Sequence, residues 1–314
     1  MTSQDEDHKI SIIIVTYNSK KELPECLESI RKQTVPCEVF IVDNASTDGT
    51  QELIKKTCEK WPKMGVILNT ENRGLAYGNN QPLHMCTGDY VLFLNPDTAL
   101  KPNTIELLVS YLEIHPSVGG IGPKSYFEDG NPHVSFHYSW TIFQILLWRI
   151  GPYGLIRDFV DRHSKYQESD VLFISGACLL IRKDLLLKIG GYDQHFFLTV
   201  EDVVDLCLRI REEGYRVVFY PSAELTHLGS RSYISKPYIA MFYSYQGSLY
   251  FLRKYKGAFW ATFVRVCYFL GTILKASLSY TIYLISRNKS QNYKRISEDN
   301  FRLARILLGK QFQI

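Results

Sequence analysis

The sequence lacks the patterns that are typical of disordered, fibrous or disulfide-stapled proteins. Its 314 residues contain no low-complexity run and no internal repeat, and 46% hydrophobic residues against 22% charged ones suffice for a sizeable core. The seven cysteines are an odd number without metal-type spacing, and the N-terminus shows no secretory signal. We therefore expect a cytosolic protein with reduced thiols, built as one large α/β domain or as a domain of about 230 residues with an appendage.

The net positive charge of the chain comes from its end. From Gly257 onward there are nine Lys or Arg residues and two Asp or Glu residues, a net charge of +7 within a total of +4. A basic tail of this kind could bind nucleic acid. Because it adjoins apolar sequence, it favours an anionic membrane surface instead, and we expect no nucleic-acid partner.

Short apolar runs rich in β-branched residues alternate with helical patterns in the first hundred residues. We predict four strands, at 10–15, 38–42, 66–68 and 90–94. Helical spacing between them, as in 50–60, predicts an α/β fold with a mostly parallel sheet covered by helices on both faces. Further along, we predict a strand over 171–181, a helix over 182–189 and a last strand over 216–220.

Polar clusters follow three of these strands, at 16–18, 43–46 and 95–97. Each cluster alone is also typical of an ordinary turn. Three clusters at the carboxyl ends of neighbouring strands favour a ligand site, because loops converge at that edge of an open sheet. The small residues Ser175-Gly176-Ala177 interrupt the predicted strand over 171–181 and would let a ligand or another backbone approach closely.

Seven segments carry a resemblance to a known family. They are SIIIVTYNS at 11–19, IVDNASTDGT at 41–50, ENRGLAYGNN at 71–80, FLNPDT at 93–98, ISGACLLIRKD at 174–184, GGYDQHFF at 190–197 with EDVVDLCLR at 201–209, and HLGSRS at 227–232. In this order and spacing they resemble the family 2 glycosyltransferases of the GT-A fold, most closely their bacterial rhamnosyltransferase-like branch. The resemblance implies a Rossmann-like GT-A domain over 1–232, followed by a C-terminal helical, apolar and basic region over 233–314.

The resemblance also implies which residues bind a nucleotide-sugar donor. Thr16, Tyr17, Asn18 and Asp43 are expected to face the nucleotide, with Asp43 near the base or ribose, where a carboxylate can accept hydrogen bonds. The loop of Asn72, Arg73 and Gly74 is expected to fold over the donor. Asn79 and Asn80 are expected to support this loop. Asn95 and Gly176 are the remaining residues expected at the donor. Helix capping is an alternative role for the asparagines of this region.

A diphosphate leaving group develops negative charge, so a divalent cation that bridges its oxygens lowers the barrier. The family's Asp-x-Asp-type loop is matched here by Asn95-Pro96-Asp97, which leaves Asp97 as its only carboxylate. A single carboxylate is consistent with Mg²⁺ or Mn²⁺ that keeps waters and uses substrate phosphates. His227 matches the family position that completes the metal or diphosphate site, although a lone histidine is more often structural.

An inverting transfer needs a base that takes the proton of the acceptor hydroxyl. The resemblance assigns this step to the pair Glu201-Asp202, in which adjacent like charges and burial would raise a pKa. We favour Asp202 as the base, with Glu201 orienting it or the acceptor. The family pattern Glu-Asp-x-Asp-Leu-Cys is one residue longer here, ending in Asp205-Leu206-Cys207. Glu201 therefore remains an alternative base, Asp205 could be a helix-start residue, and all three acids could simply decorate a helix N-terminus.

The segment from Ala258 to Ile285 is long enough to span a bilayer but is interrupted by Arg265 and Lys275. Aromatic residues within it suit an interface, so we favour an amphipathic or re-entrant helix at the membrane; a spanning helix and a soluble helix packed on the core or in a dimer are the alternatives. The basic residues expected against anionic headgroups are Arg287, Lys289, Lys294, Arg295, Arg302 and Arg305. A second apolar segment, from Tyr138 to Ile156, is a candidate for the acceptor site.

These observations predict a rhamnosyltransferase-like enzyme on the cytoplasmic face of the plasma membrane. It would move rhamnose or a similar deoxy sugar, with dTDP-rhamnose as the favoured donor, to a lipid-linked or glycan acceptor in cell-surface polysaccharide biosynthesis, and it could form a homo-oligomer. The alternative is a non-catalytic nucleotide-binding subunit of a membrane-bound assembly complex. A nucleotidyltransferase would be expected to carry a glycine-rich, basic phosphate loop after the first strand, and the segment 16–19 offers none.

Overall fold

The computed structural model describes residues 10–61, 63–150, 166–227, 237–286 and 290–309. Contacts divide the chain into two compact units. The first unit is Met1–Ser139 with Val160–Ile234, and the second is Trp140–Phe159 with Ser235–Ile314. The second unit thus includes a segment from the middle of the chain as well as the C-terminal region, while the sequence-based boundary after residue 232 stays a prediction.

The strands of the first unit are β1 (Ile10–Thr16), β2 (Cys37–Asp43), β3 (Met64–Leu68), β4 (Tyr90–Leu94), β5 (Thr98–Leu100), β6 (Val118–Tyr126), β7 (Pro132–His133), β8 (Phe136–His137), β9 (Ser169–Asp170), β10 (Phe173–Ile174), β11 (Cys178–Arg182) and β12 (Arg216–His227). Its helices are α1 (Leu23–Arg31), α2 (Thr50–Lys60), α3 (Leu75–Asn80), α4 (Thr104–Ile114), α6 (Lys183–Lys188) and α7 (Val200–Glu212). The helices of the second unit are α5 (Ile142–Ile150), α8 (Pro237–Lys256), α9 (Ala258–Ile285) and α10 (Gln291–Leu308).

One mixed sheet organises the first unit. Its strand order is β3-β2-β1-β4-β11-β6-β12-β5, with β7 beside β6 and β9 beside β12, while β8 and β10 form a separate pair. Strands β3, β2, β1 and β4 are parallel, as the alternation of strands and helices predicts. Beyond β4 the sheet becomes mixed, because β11 runs antiparallel to both of its neighbours.

Helices cover both faces of the sheet because successive side chains of a strand point to opposite sides. Ile10, Ile12 and Ile14 of β1 are fully buried in a core shared with α1, α2 and α4. Val15 points to the other face, where a side chain on Gly78 of α3 would meet it at 2.8 Å. The sheet is therefore buried on both sides, and its polar loops are confined to its edges.

The last strand is longer than the sequence predicts. The pattern places its end at Tyr220, before Pro221, whereas β12 continues to His227. A register irregularity against β6 between Tyr220 and Glu224 accommodates the proline, since a bulge releases a residue from the ladder. The predicted strand over 171–181 is likewise divided into β10 and β11 by the small residues at 175–177.

The second unit is helical in the part that the structure describes. Helix α9 packs against α5, α8 and α10, and the Tyr268 ring stacks on that of Tyr245 at 4.3 Å between centroids. By length and composition alone, α9 could cross a membrane, with a mean hydropathy of 1.3 and 28% of its most apolar window buried. Of the predicted apolar segment ending at Ile156, residues 151–156 lie outside the described residues.

Candidate active site

Asp43 lies at the carboxyl end of β2 and is fully buried. Its carboxylate accepts hydrogen bonds from Thr16 Oγ1 at 3.0 Å, Ser46 Oγ at 2.5 Å, Ser46 N at 2.9 Å and Gln51 Nε2 at 2.8 Å. Four donors correspond to the lone-pair sites of a carboxylate, so the loop after β2 is tied firmly to the end of β1. Ser46 belongs to the predicted polar cluster at 43–46, whereas the role of Gln51 was not predicted from the sequence.

Tyr17 and Asn18 form the loop that leaves β1. Asn18 has a positive φ of 54°, its backbone N donates to Ser46 Oγ at 2.8 Å, and its side-chain Oδ1 accepts from Thr47 N at 2.8 Å. An asparagine tolerates the left-handed region better than most residues, which explains how the loop turns here. Tyr17 is 41% exposed, so its ring faces solvent beside the Asp43 loop.

Side-chain amides support the loop of Asn72, Arg73 and Gly74. Asn44 Nδ2 donates to the Gly74 carbonyl at 3.0 Å, and Asn44 Oδ1 accepts from Asn69 Nδ2 at 2.9 Å. The Asn72 side chain accepts from Gly74 N at 3.0 Å. The Arg73 guanidinium lies over the Tyr77 ring at 3.8 Å and is half exposed. The backbone of this loop is therefore fixed, while its one cation remains open to solvent.

The donor-side loop is joined to the segment that precedes α7. Leu75 N donates to the Phe197 carbonyl at 2.7 Å, and a side chain on Gly74 would lie 2.4 Å from the same oxygen. Asn80 makes reciprocal hydrogen bonds with the backbone of Tyr192, each 2.8 Å long. Asn79 is buried in α3. Asn80 thus connects the two segments rather than capping a helix at its N-terminus.

Asp97 and His227 lie side by side because β5 pairs antiparallel with the end of β12. Thr98, the residue after Asp97, is in register with His227. Asp97 Oδ1 is 3.4 Å from His227 Nε2, and both side chains are buried. Two residues before Asp97, Asn95 donates its backbone N–H to Ala177 O at 2.9 Å, and its carbonyl oxygen accepts from Thr98 Oγ1 at 2.7 Å. The β5–β12 pairing and this turn bring together the two predicted cation-binding residues.

The Asp97–His227 pair fits a divalent cation that takes its other ligands from a substrate. Neither ring nitrogen of His227 forms a hydrogen bond within the described part of the chain, although both are buried. A buried imidazole of this kind retains its lone pair for a ligand. The described residues contain no group of three or more His, Cys, Asp or Glu side chains that could hold a metal ion. Phosphate oxygens and waters would complete the coordination of Mg²⁺ or Mn²⁺.

His133 extends this site and was missed from the sequence. It lies on the short strand β7, and its ring packs edge-on against that of His227, with 5.4 Å between centroids. The Phe127 ring packs against the His133 ring in turn, with 4.6 Å between centroids. No sequence motif marks His133; only the pairing of β7 with β6 brings it to His227.

Glu201 and Asp202 occupy the first turn of α7, and both are buried. The Thr199 hydroxyl donates to the Glu201 carboxylate. Asp202 Oδ1 accepts from Val203 N at 2.5 Å, whereas its Oδ2 has no hydrogen-bond partner among the described residues. Burial raises the pKa of Asp202 from 3.8 to about 7; the Val203 hydrogen bond opposes this shift and the Glu201 charge adds to it. A carboxylate with this pKa suits proton transfer near neutral pH.

Helix α7 is continuous through the extra residue of the Glu-Asp segment. Asp205 lies in its second turn, is fully buried and pairs with Arg209 Nε at 2.9 Å, so it is not the residue that starts the helix. The helix packs on β10, and Gly176 lies opposite Val203. A Cβ added at Gly176 would be 3.9 Å from Val203 Cβ. Since Ala177 binds Asn95, the turn over 175–177 connects the first turn of α7 to the Asp97 loop.

Three comparisons place the chain among known proteins. The sequence model described as glycosyl transferase family 2 matches residues 11–190. The N-acetylglucosaminyl-diphospho-decaprenol L-rhamnosyltransferase of Mycobacterium tuberculosis is 24% identical over 303 residues, which cover 91% of this chain and 95% of that protein. Rhamnosyltransferase WbbL of Escherichia coli is 25% identical over 242 residues, covering 73% of this chain and 88% of the relative.

Solved structures show the same fold at lower identity. The mannosyltransferase PcManGT from Pyrobaculum calidifontis, in complex with GDP-Man and Mn²⁺, aligns with a TM-score of 0.56 at 17% identity, over 96% of this chain and 87% of that one. GalNAc-T7 with UDP, GalNAc and Mn²⁺ aligns with a TM-score of 0.58 at 15% identity, over 79% of this chain and 48% of that one. With a family match over more than half of its length and this GT-A type fold, the chain belongs to glycosyl transferase family 2.

Proposed function

We propose that the chain is an inverting glycosyltransferase that uses a divalent cation and a nucleoside diphosphate sugar. The observation that carries the proposal is the buried Asp97–His227 pair, 3.4 Å apart, at the rim where the loops after β1, β2 and β4 also lie. Buried carboxylate and imidazole groups are unfavourable without a partner, so their retention at this rim favours a ligand.

The bound cation would neutralise charge on the departing diphosphate, with Asp97 and His227 as its protein ligands. Around it, the chain itself supplies orientation. The Asp43 loop and the Asn18 turn would hold the nucleotide at the ends of β1 and β2. Arg73, half exposed on a fixed backbone, would contact donor phosphates.

Asp202 would act as the base. Its Oδ2, which has no hydrogen-bond partner among the described residues, can accept the proton of an acceptor hydroxyl as that oxygen attacks the anomeric carbon from the face opposite the leaving group, which inverts the configuration. A pKa of about 7 leaves a useful fraction of the carboxylate ionised at neutral pH and makes it a stronger base than an ordinary aspartate. Glu201, bound by Thr199, would orient this group or the acceptor; its adjacency keeps it as the alternative base.

The favoured donor is dTDP-rhamnose or a similar deoxy sugar nucleotide, because two relatives are named as rhamnosyltransferases. The name of the first also specifies N-acetylglucosaminyl-diphospho-decaprenol, which supports a lipid-linked acceptor. With such an acceptor, the enzyme would act on the cytoplasmic face of the plasma membrane. The reaction would belong to the synthesis of a cell-surface polysaccharide.

A donor screen that measures nucleoside diphosphate release tests the proposal. The intact chain is compared with Asp97→Ala, Asp202→Asn and the matched control Asp129→Asn, whose carboxylate lies in an exposed turn. We expect release to fall by on the order of a hundredfold or more in the first two variants and to stay unchanged in the control. Circular dichroism verifies that each variant is folded.

The same screen separates this enzyme from a non-catalytic subunit. Tight binding of a nucleotide sugar, without hydrolysis or transfer in the presence of Mg²⁺ or Mn²⁺, would support the non-catalytic alternative. Full activity of Asp202→Asn together with loss of activity in Glu201→Gln would move the base to Glu201.

A further inference from the structure

Helix α9 has most of its large apolar side chains on the outside. Besides Val264 and Tyr268, the side chains that it buries are the small or polar Ala261, Thr272, Ala276 and Ser279. The opposite side carries an apolar stripe that consists of Phe259, Phe263, Val266, Leu270, Leu274 and Leu278, each between 45% and 73% exposed. Their spacing of three or four residues keeps them on one side of the helix over five turns.

This arrangement is the reverse of a helix that packs against a water-soluble core. In such a helix the apolar stripe faces inward and the polar residues face water. Small residues at helix contacts with large apolar residues outside are instead typical of helices surrounded by lipid. A continuous exposed stripe of this length indicates a contact with another apolar phase.

The charge of the sequence on both sides of α9 indicates which apolar phase contacts the stripe. From Leu225 to Ser297 the chain contains eleven Lys or Arg residues and no Asp or Glu. A stretch of this sign and length is complementary to negatively charged headgroups and repels a second copy of itself. An anionic bilayer therefore matches both the apolar stripe and its surroundings.

One of the two cations within α9 is not available to a membrane. The Arg265 guanidinium turns toward α10 and donates to Leu307 O at 2.7 Å and to Gly309 O at 2.9 Å. It thereby satisfies carbonyls at the C-terminal end of α10, which have no partners inside that helix. Lys275 is the other cation of the helix and is exposed. The two charges that interrupt the apolar segment thus have different roles.

The contact of Arg265 with α10 determines whether α9 can span a membrane or lie in its plane. Because Arg265, near the start of α9, binds the end of α10, the two helices run antiparallel along each other. Helix α10 carries Lys294, Arg295, Glu298 and Asp299. A spanning α9 would take these charges into the hydrocarbon core, where each costs several kcal/mol. A helix that lies in the plane of the surface leaves them in water.

We propose that α9 lies in the plane of an anionic lipid bilayer, with the apolar stripe among the acyl chains and Lys275 at the headgroups. This inference deepens the proposed lipid-linked acceptor, because it supplies the contact that holds the enzyme at the surface where such an acceptor resides. It excludes both a spanning helix and a soluble one. It is tested without donor or turnover, so that its failure and failure of the proposed transfer reaction are distinguished.

The test is flotation of the intact chain with vesicles made of equal parts phosphatidylglycerol and phosphatidylcholine. We expect the triple substitution Phe263→Ser, Leu270→Ser and Leu274→Ser to lower the vesicle partition coefficient by on the order of a hundredfold. Ile114→Ser is the matched control, since Ile114 is 71% exposed in the first unit, and it should leave partitioning unchanged. Lys275→Gln should weaken partitioning by about fivefold, and only for vesicles with anionic lipid.

Three outcomes would overturn the proposal. One is flotation of the triple variant at the level of the intact chain, with circular dichroism unchanged. The second is protection of a C-terminal epitope tag from protease added outside intact vesicles, which would indicate a spanning helix. The third is absence of flotation combined with a dimer that the triple substitution dissociates in sedimentation experiments, which would make a second copy the partner of the stripe.

Discussion

Replacing Asp202 by asparagine is expected to increase stability while it removes activity. The pKa of this carboxyl is raised by burial from 3.8 to about 7, so the folded protein keeps a proton that the unfolded chain has already lost. Between these two pH values, the free energy of unfolding therefore falls as pH rises, and above pH 7 the loss is complete. An asparagine in the same place can still accept the Val203 hydrogen bond and does not ionise.

The size of the effect follows from linkage. Each unit of pKa shift corresponds to about 1.4 kcal/mol, so the full shift of roughly three units costs the folded state about 4 kcal/mol at alkaline pH. By about pH 5 roughly one third of this cost is already present. The advantage of Asp202→Asn over the intact chain should therefore grow by about 2 to 3 kcal/mol between about pH 5 and about pH 8.

Urea unfolding at the two pH values measures this difference directly. Asp48→Asn is the control, because the pKa of Asp48 is shifted in the opposite direction. Partial burial raises this pKa, but hydrogen bonds from the Thr50 side chain and from the Lys20 and Thr50 backbone outweigh burial and lower it. Its titration window lies below 3.8, so the difference between this variant and the intact chain should stay constant over the same range. If the difference in free energy of unfolding between Asp202→Asn and the intact chain is equally constant, the conclusion that buried Asp202 keeps its proton up to about pH 7 is refuted.

Three further predictions follow from the site. With saturating metal, kcat/KM should rise about tenfold per pH unit below about pH 7 and level off above it, because only ionised Asp202 accepts a proton; a flat profile of nucleoside diphosphate release would contradict this. His227→Ala should raise the Mn²⁺ concentration needed for half-maximal release at least tenfold in a variant that circular dichroism shows to be folded, and an unchanged metal requirement would remove His227 from the proposed cation site. Gly74→Ala should raise the donor KM and lower the melting temperature, since its φ is 92° and the added carbon would lie 2.4 Å from a carbonyl oxygen; Gly130→Ala, at φ 81° with open space around it, is the control for backbone strain alone.

The parallel half of the sheet could be predicted from the sequence because local patterns decide it. Strands β1, β2 and β4 are apolar runs, and the predicted helix over 50–60 is observed as α2 with the same ends. The polar loops that follow these strands were predicted by the same reasoning. For these elements, hydrophobic periodicity and turn residues indicate the same structure as the tertiary packing.

Strand β6 could not be predicted, because packing rather than propensity makes it a strand. Its residues VGGIGPKSY contain three glycines and a proline, which are all disfavoured in strands. Gly119 and Gly122 lie where side chains would collide with Leu185 and Ile174, at 2.6 and 2.1 Å. Only the assembled fold reveals that the missing side chains make room for neighbouring residues. The contact of His133 with His227 depends on this strand and was missed for the same reason.

The irregularity in β12 makes the proposed cation site sensitive to the number of residues in the strand and not only to their identity. Side chains alternate between the two faces of a strand, so removing one residue between Tyr220 and Glu224 would leave His227 either one position out of step with Thr98 or turned to the opposite face. A chain with every site residue intact could thus lose its imidazole ligand through a deletion several residues away. Pro221 and the bulge that accommodates it therefore determine which face of β12 carries His227.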